Sequence, residues 1–273
     1  MHRYICIACG TQFAAADEPP AACLVCEDTR QPARQEGQRW TTLAELGAGH
    51  DNLFRVLEPG LVGIGTVPPF AAGQRALLVR TPSGNVLWDC LSLLDATTIT
   101  LVEALGGIAA IAISHPHFYS SMIEWGRAFH APVYLHEADR EWVARLSDTL
   151  RFWEDEQLEV QPGITLIRAG GHFAGSTLLH WAGGAEGKGV LLTGDTVQVA
   201  LPEREHVSFM YGYASLLPLA ARAVERIVAA VAPYRFERLY GAWWPAVIEQ
   251  RGKTSLRRSA DLYLASLRGE LLP

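Results

Sequence analysis

Four cysteines in the first 26 residues, arranged as Cys6-x2-Cys9 and Cys23-x2-Cys26, constrain this chain more than any other feature. Thirteen residues separate the two pairs. Two such hooks fold over a single ion, because four thiolates at tetrahedral corners suit Zn²⁺ or one iron. Two disulfides are the alternative, and a reducing compartment disfavours them. Gly10, directly after Cys9, permits the tight turn that points amide N–H groups at sulfur.

The segments YICIACGTQF and PPAACLVCED together resemble the small rubredoxin-like module that is appended to rubrerythrins. The resemblance covers residues 1–30 and includes both CxxC knuckles, Gly10 and the Pro-Pro before the second pair. It implies Zn²⁺ or Fe on Cys6, Cys9, Cys23 and Cys26. Iron there would carry an electron, whereas zinc would staple a core too small to fold alone.

The remainder is long enough for a full core. At 273 residues the chain fits one or two domains, and 49% hydrophobic with 19% charged residues excludes disordered and fibrous classes. A net charge of −6 lacks the basic stripe that phosphate backbones attract, so nucleic acid is not expected as a partner. The longest apolar run, Ile108 to Ile113, is strand-sized, so no membrane span is expected. The start MHRYIC lacks a long apolar h-region, which reads as a cytoplasmic protein. Homo-oligomerisation is left open.

Residues 31–58 read as a connector, with weak helical periodicity from Trp40 to Phe54, ahead of one domain over 59–273. Short apolar runs at Leu61–Ile64, Ala76–Val79 and Val86–Trp88 predict strands. Further strands are expected at 108–113, 132–135, 164–168, 177–182, 189–193 and 236–240. Helices are expected at 95–105, 120–129, 137–146, 216–231 with Ser215 as N-cap, and 254–267 capped by Thr254 or Ser255. This order implies sheets with helices packed outside.

The chemistry-bearing pattern begins where strand 108–113 ends in Ser114-His115-Pro116-His117-Phe118-Tyr119-Ser120. Imidazoles at i and i+2 of extended backbone share a side and suit one metal. Strand 164–168 runs into Gly170-Gly171-His172-Phe173-Ala174-Gly175-Ser176, and strand 189–193 into Gly194-Asp195-Thr196. Ligand-type residues at three strand ends point to a metal site, since binding groups gather beyond strand ends. Asp89, after Leu87-Trp88, offers a carboxylate that would orient a ligand histidine.

In these residues the chain resembles the metallo-β-lactamase superfamily over 60–245, in the order Asp89, His115/His117, His172 and Asp195. The resemblance implies an α/β fold, the four-layer αββα sandwich, preceded here by the small metal knuckle module. The family pattern HxHxDH requires Asp at 119 and His at 120, where this chain has Tyr119 and Ser120. The family's last histidine is replaced within Gly241-Ala242-Trp243-Trp244. Three ligands of a second metal are therefore missing. The expectation is a mononuclear centre, Zn²⁺ or Fe, on His115, His117, His172 and Asp195. Asp195 and Tyr119 are the catalytic candidates, Tyr119 as an oxyanion donor or an iron ligand, or else as a packed wall residue.

Phe70, Phe118, Phe173 and Trp243 are candidate walls of a substrate pocket, with core packing the alternative for each, and 208–213 is an aromatic loop that either covers the site or packs as ordinary core. His50, His130, His136, His180 and His206 show no ligand spacing, and Cys90 reads as a small buried hydrophobe. The leading functional reading is a hydrolase that activates water against a small-molecule ester, thioester or lactone. A non-haem iron oxidoreductase resembling persulfide dioxygenases, using His115, His172 and Asp195, is the alternative. A non-catalytic metal-binding protein is the third reading.

Overall fold

The computed structural model describes residues 1–31 and 37–271, in two compact units, Met1–Trp153 and Glu154–Pro273. Residues 32–36 of the expected connector lie outside the described residues, as do 272 and 273.

The first unit opens with a three-stranded sheet, order β2-β1-β3, from β1 (His2–Cys6), β2 (Gln12–Ala16) and β3 (Trp40–Thr41). Its apolar content is small. Cys6, Cys9, Cys23 and Val25 form the buried cluster, with Phe13 and Trp40 packed against it. The segment from Trp40 to Phe54, read as weakly helical, is instead strand, one short helix and strand. Thr42 and Glu45 form a capping box that starts helix α1 (Leu43–Gly47), and β4 (Asp51–Glu58) follows.

Seven strands make the main sheet of this unit, in the order β10-β9-β8-β7-β6-β5-β4. After β4 come β5 (Leu61–Val67), β6 (Arg75–Val79) and β7 (Val86–Trp88), paired antiparallel. Then β8 (Ala110–Ala112), β9 (Val133–His136) and β10 (Leu150–Trp153) pair in parallel. Parallel pairing needs a crossover, and α2 (Ala96–Ala104) and α3 (Met122–Ala128) supply two of them. Asp95 caps α2 by accepting the Thr98 N–H at 2.6 Å. Every residue of β7 and β8 is buried, as expected for central parallel strands covered on both faces. Their register, Trp88 opposite Ala112, brings Asp89 and Ile113 out at one sheet edge.

The second unit has a six-stranded sheet, order β11-β12-β13-β14-β19-β20. It uses β11 (Gln157–Gln161), β12 (Ile164–Arg168), β13 (Thr177–Trp181) and β14 (Val190–Gly194), with a turn α4 (Gly184–Gly187) before β14. Two short ribbons follow, β15 (Gln198–Val199) with β16 (Val207–Ser208) and β17 (Met210–Gly212) with β18 (Leu217–Pro218). Helix α5 (Ala221–Val231), strands β19 (Arg238–Gly241) and β20 (Val247–Ile248) and helix α6 (Gly252–Leu267) complete the unit. Val224, Ile227 and Val231 of α5, with Leu256 and Ala260 of α6, share one core with Ile167, Leu178, Leu191 and Leu239 of the sheet. Because β12–β13 and β13–β14 are both antiparallel, β12 and β14 run the same way and end at the same edge.

Helix boundaries differ from expectation where backbone chemistry intervenes. The helix expected from residue 216 starts at Ala221, because Pro218 cannot donate and holds Leu217 extended as strand β18. The last helix starts at Gly252, after Arg251 turns the chain at φ +56°, rather than at Thr254. The helix expected over 137–146 is a 3₁₀ segment, Glu137–Trp142.

Candidate metal centres

The cysteine quartet is built by two turns. Cys6 ends β1, the Gly10 N–H donates to the Cys6 carbonyl at 2.8 Å, and Gly10 takes φ +81°. On the other hook the Cys26 and Glu27 N–H groups donate to the Cys23 carbonyl at 2.9 and 3.0 Å. The four Sγ atoms lie within 4.8 Å of one another, with Cys6–Cys26 at 3.6 Å and Cys9–Cys23 at 3.5 Å. Gln38 Nε2 donates to Cys6 Sγ at 3.2 Å. Hydrogen bonds from Cys23, Cys26 and Cys9 hold the Cys6 thiol well below its ordinary range. Hydrogen bonding with Cys23, Cys26 and Cys6, together with burial, pushes the Cys9 thiol up. Such crowding of thiols around one point fits a soft divalent cation, which relieves it by taking all four as thiolates.

On the first unit's main sheet, Ser114, His115 and His117 follow β8. Asp89, at φ +61°, accepts the Ser114 backbone N–H at 2.8 Å on Oδ1. Ser114 Oγ in turn lies 2.8 Å from His115 Nδ1. The Asp89 carboxylate therefore reaches His115 through Ser114, a residue that no spacing rule picks out. Burial pushes the His115 imidazole down to about 3, and the charge of Arg30 adds to this, so the ring is neutral and metal-competent at pH 7. The His115 and His117 rings have centroids 5.1 Å apart. Phe118 sits 4.7 Å from the His115 ring and is 1% exposed, so it backs that imidazole rather than facing solvent. Phe70 lies beside His50, with centroids 5.7 Å apart.

The next two positions are committed elsewhere. Tyr119 is buried, its hydroxyl donates to the Asp139 carbonyl at 3.4 Å, and burial pushes its pKa well up. Ser120, at φ +45°, accepts from Gln74 Nε2 at 3.2 Å on its Oγ.

In the second unit, the loop after β12 carries His172 on two glycines at φ +67° and +87°. A Cβ on Gly171 would come within 3.1 Å of Leu219 and 3.2 Å of Ile227. Ser176 ties the loop by accepting the Phe173 N–H at 2.8 Å. His172 is fully buried, and its Nδ1 lies 3.2 Å from the Met210 carbonyl. Its Nε2 lies 4.0 Å from Asp195 Oδ1, beyond the end of β14. The Tyr213 hydroxyl donates to the Asp195 carbonyl at 2.5 Å. The aromatic stretch 208–213, read as a cover, thus braces both candidate ligands of this unit. Phe173, 1% exposed, packs edge-on against His172, and half-buried Trp243 packs on the unit's core.

The model of the metallo-β-lactamase superfamily matches residues 71–253, two thirds of the chain, a span that contains Asp89, His115, His117, His172 and Asp195. The chain belongs to the metallo-β-lactamase superfamily. It is 48% identical over 273 residues to the uncharacterized protein YmaE of Bacillus subtilis (strain 168), covering 99% of each chain. Solved superfamily structures share the fold at low identity. VMB-1 superposes with a TM-score of 0.59 at 13% identity, covering 80% of this chain and 98% of that one. The mono-zinc form of FIM-1 from Pseudomonas aeruginosa gives 0.56 at 14% identity, covering 81% and 97%. The N-terminal module with its four cysteines fits a CxxC/CxxC knuckle preceding the superfamily fold. Among the described residues, no helix is long and apolar enough to cross a membrane.

Proposed function

We propose that the chain is a metal-dependent hydrolase with one metal held by His115, His117, His172 and Asp195. What carries this reading is the donor set itself: three imidazoles and one carboxylate, on the loops and the 3₁₀ turn that follow β8, β12 and β14. Three histidines and a carboxylate fit zinc with a position left for water or substrate. The commitment of Tyr119 to Asp139 and of Ser120 to Gln74 supports a single ion, since neither side chain replaces the missing second-site ligands. The mono-zinc form of FIM-1 illustrates single occupancy on this fold.

When bound, zinc supplies Lewis acidity, polarising a carbonyl and acidifying water toward a pKa of about 7. The chain's own groups do the rest. Asp195, fixed through its backbone by Tyr213, orients the attacking water and accepts its proton. Met210 fixes the His172 ring, and Ser114 fixes that of His115. The proposed substrate is a small-molecule ester, thioester or lactone, with no nucleic-acid or membrane partner and a cytoplasmic setting.

The test is metal analysis of protein purified without added metal, followed by turnover on a panel of esters, thioesters and lactones. Zinc at the histidine centre, and hydrolysis lost in Asp195→Asn, support the reading. Iron at that centre with oxygen uptake on a thiol or persulfide substrate overturns it in favour of an oxygenase. A panel inert with zinc fully loaded removes the proposed substrate class.

A further inference from the structure

The cysteine module and the histidine loop belong to the same compact unit, and among the described residues Gly10, Thr11 and Gln12 pack closely against Ser120 and its neighbours. These lie between Cys9 and the body of β2. The Ser92 hydroxyl donates to the Gly10 carbonyl at 2.9 Å, across 82 positions of sequence. A Cβ on Gly10 would lie 2.4 Å from Ser92 Oγ, 3.3 Å from Ala71 Cβ and 3.5 Å from Ser120 Oγ. One residue on, Thr11 Oγ1 stands 3.2 Å from Cys9 Sγ. The Gln12 backbone N–H donates to the Ser120 carbonyl at 3.1 Å rather than into its own sheet. The Gln12 side chain accepts from Arg145 Nη1 at 2.8 Å, and the same nitrogen pairs with Glu124 Oε1 at 2.5 Å.

The joint is tight. The cavity between Thr11, Gln12, Tyr119, Ser120 and Arg145 amounts to about 10 Å³, room for one water at most. Ser120 stands three residues after His117, at a left-handed φ of +45° that a serine adopts only when its surroundings impose it. Gln12 from one side and Gln74 from the other are those surroundings. A segment packed this closely transmits displacement instead of absorbing it.

We propose that the cysteine module is a positioning element for the histidine loop. A metal seated on Cys6, Cys9, Cys23 and Cys26 fixes Gly10–Gln12 against Ser92 and Ser120, and so sets how tightly His115 and His117 hold their own metal. The inference rests on the reading of those histidines as ligands. Coupling runs through backbone contacts made on the far side of the loop, so the module needs no share in the chemistry. In free-energy terms the two metal sites become linked, and the linkage is reciprocal.

The test uses the full chain loaded with zinc, and follows amide hydrogen exchange over residues 114–123 together with zinc affinity of the histidine centre in chelator competition. Cys26→Ser removes a thiolate ligand and is expected to raise exchange over 114–123 and weaken histidine-centre zinc by about tenfold. Unchanged exchange over 114–123 in a Cys26→Ser protein that has lost its thiolate-bound zinc overturns the proposal. A second pair guards against a folding defect in that variant. Gln12→Ala and Gln12→Pro both lose the Arg145 contact, but only proline lacks the N–H that reaches Ser120. Weaker histidine-centre zinc in Gln12→Pro than in Gln12→Ala, with thiolate zinc retained in both, supports the route. Equal affinities overturn it. If wild-type protein binds no metal at the histidines, the proposed function fails while the exchange measurement still reads the coupling.

Discussion

Ser114 holds its Oγ 2.8 Å from Nδ1 of His115. Its own N–H is held at 2.8 Å by Asp89, so a carboxylate just past β7 reaches an imidazole after β8 through one intervening residue. Outer partners of this kind set ring orientation and ligand basicity. Ser114→Ala should therefore weaken zinc at the histidine centre by about tenfold, and Asp89→Ala by more, since it also strands a buried N–H. Asp89→Asn keeps an acceptor and a residue type that tolerates positive φ, so it should retain most of the affinity. Chelator competition on the three variants is the measurement, and equal affinity in all of them would show that Asp89 plays no such part.

Each metal should be removable by itself. His172→Ala takes one imidazole from the proposed histidine centre, so that centre should lose its zinc on gel filtration while the thiolate-bound ion stays. Elemental analysis should then give half the zinc of wild type. Full zinc content in His172→Ala would mean that the ligand is misassigned.

Gly189 leads into β14, the strand that delivers Asp195. At φ +86°, a Cβ there would fall 2.0 Å from the Arg235 carbonyl oxygen, an immovable backbone atom. Gly189→Ala should destabilise the protein by about 2 kcal/mol or more. Thermal unfolding should register a midpoint several degrees lower.

His180 predicts a pH dependence. It is 8% exposed, its Nε2 lies 2.8 Å from the Arg235 carbonyl, and burial lowers its pKa below the ordinary 6.5, with Lys253 adding to the effect. The unfolded chain thus takes up the proton at a higher pH than the folded one. Stability from this group is complete above pH 6.5 and declines as the pH falls toward the depressed folded value. Denaturation midpoints taken at pH 7.5, 6.5 and 5.5 should fall in that order for wild type. His180→Gln should show a flatter profile over the same interval.

Much of the architecture was legible in the sequence because the central strands carry their signal locally. Val86–Trp88 reads as a strand and 108–113 as a buried strand, and the strands Val86–Trp88 and Ala110–Ala112 are wholly buried. Ile164–Arg168 matches its expected range residue for residue. The candidate site residues Asp89, His115, His117, His172 and Asp195 stand out in the sequence because each comes soon after an apolar run.

Other features depended on distant partners. Leu217–Pro218 continues an apolar periodicity, yet pairs with Met210–Gly212 as a ribbon. Trp40 to Phe54 has a helix-like spacing that the capping box at Thr42 and Glu45 confines to Leu43–Gly47. Phe118 and Phe173 carry the residue type of a pocket wall, and only packing shows them behind their histidines. Ser114, Ser92, Gln74 and Tyr213 matter through bonds to residues far away or to backbone, which no spacing reveals. Tyr119 and Ser120 were visible as departures from the superfamily pattern, but their attachments to Asp139 and Gln74 were not.

The 2.4 Å between Ser92 Oγ and the place where a Gly10 side chain would begin is the manufacturing tolerance of this molecule. It favours glycine there, because a side chain at φ +81° is strained and a Cβ would also displace the Ser92 hydroxyl from the Gly10 carbonyl. A protein engineer wishing to graft this thiolate knuckle elsewhere, or to trim it off, inherits the same constraint. The recipient surface must offer a hydroxyl for the Gly10 carbonyl and a carbonyl for the Gln12 N–H, in the relative position that Ser92 and Ser120 provide.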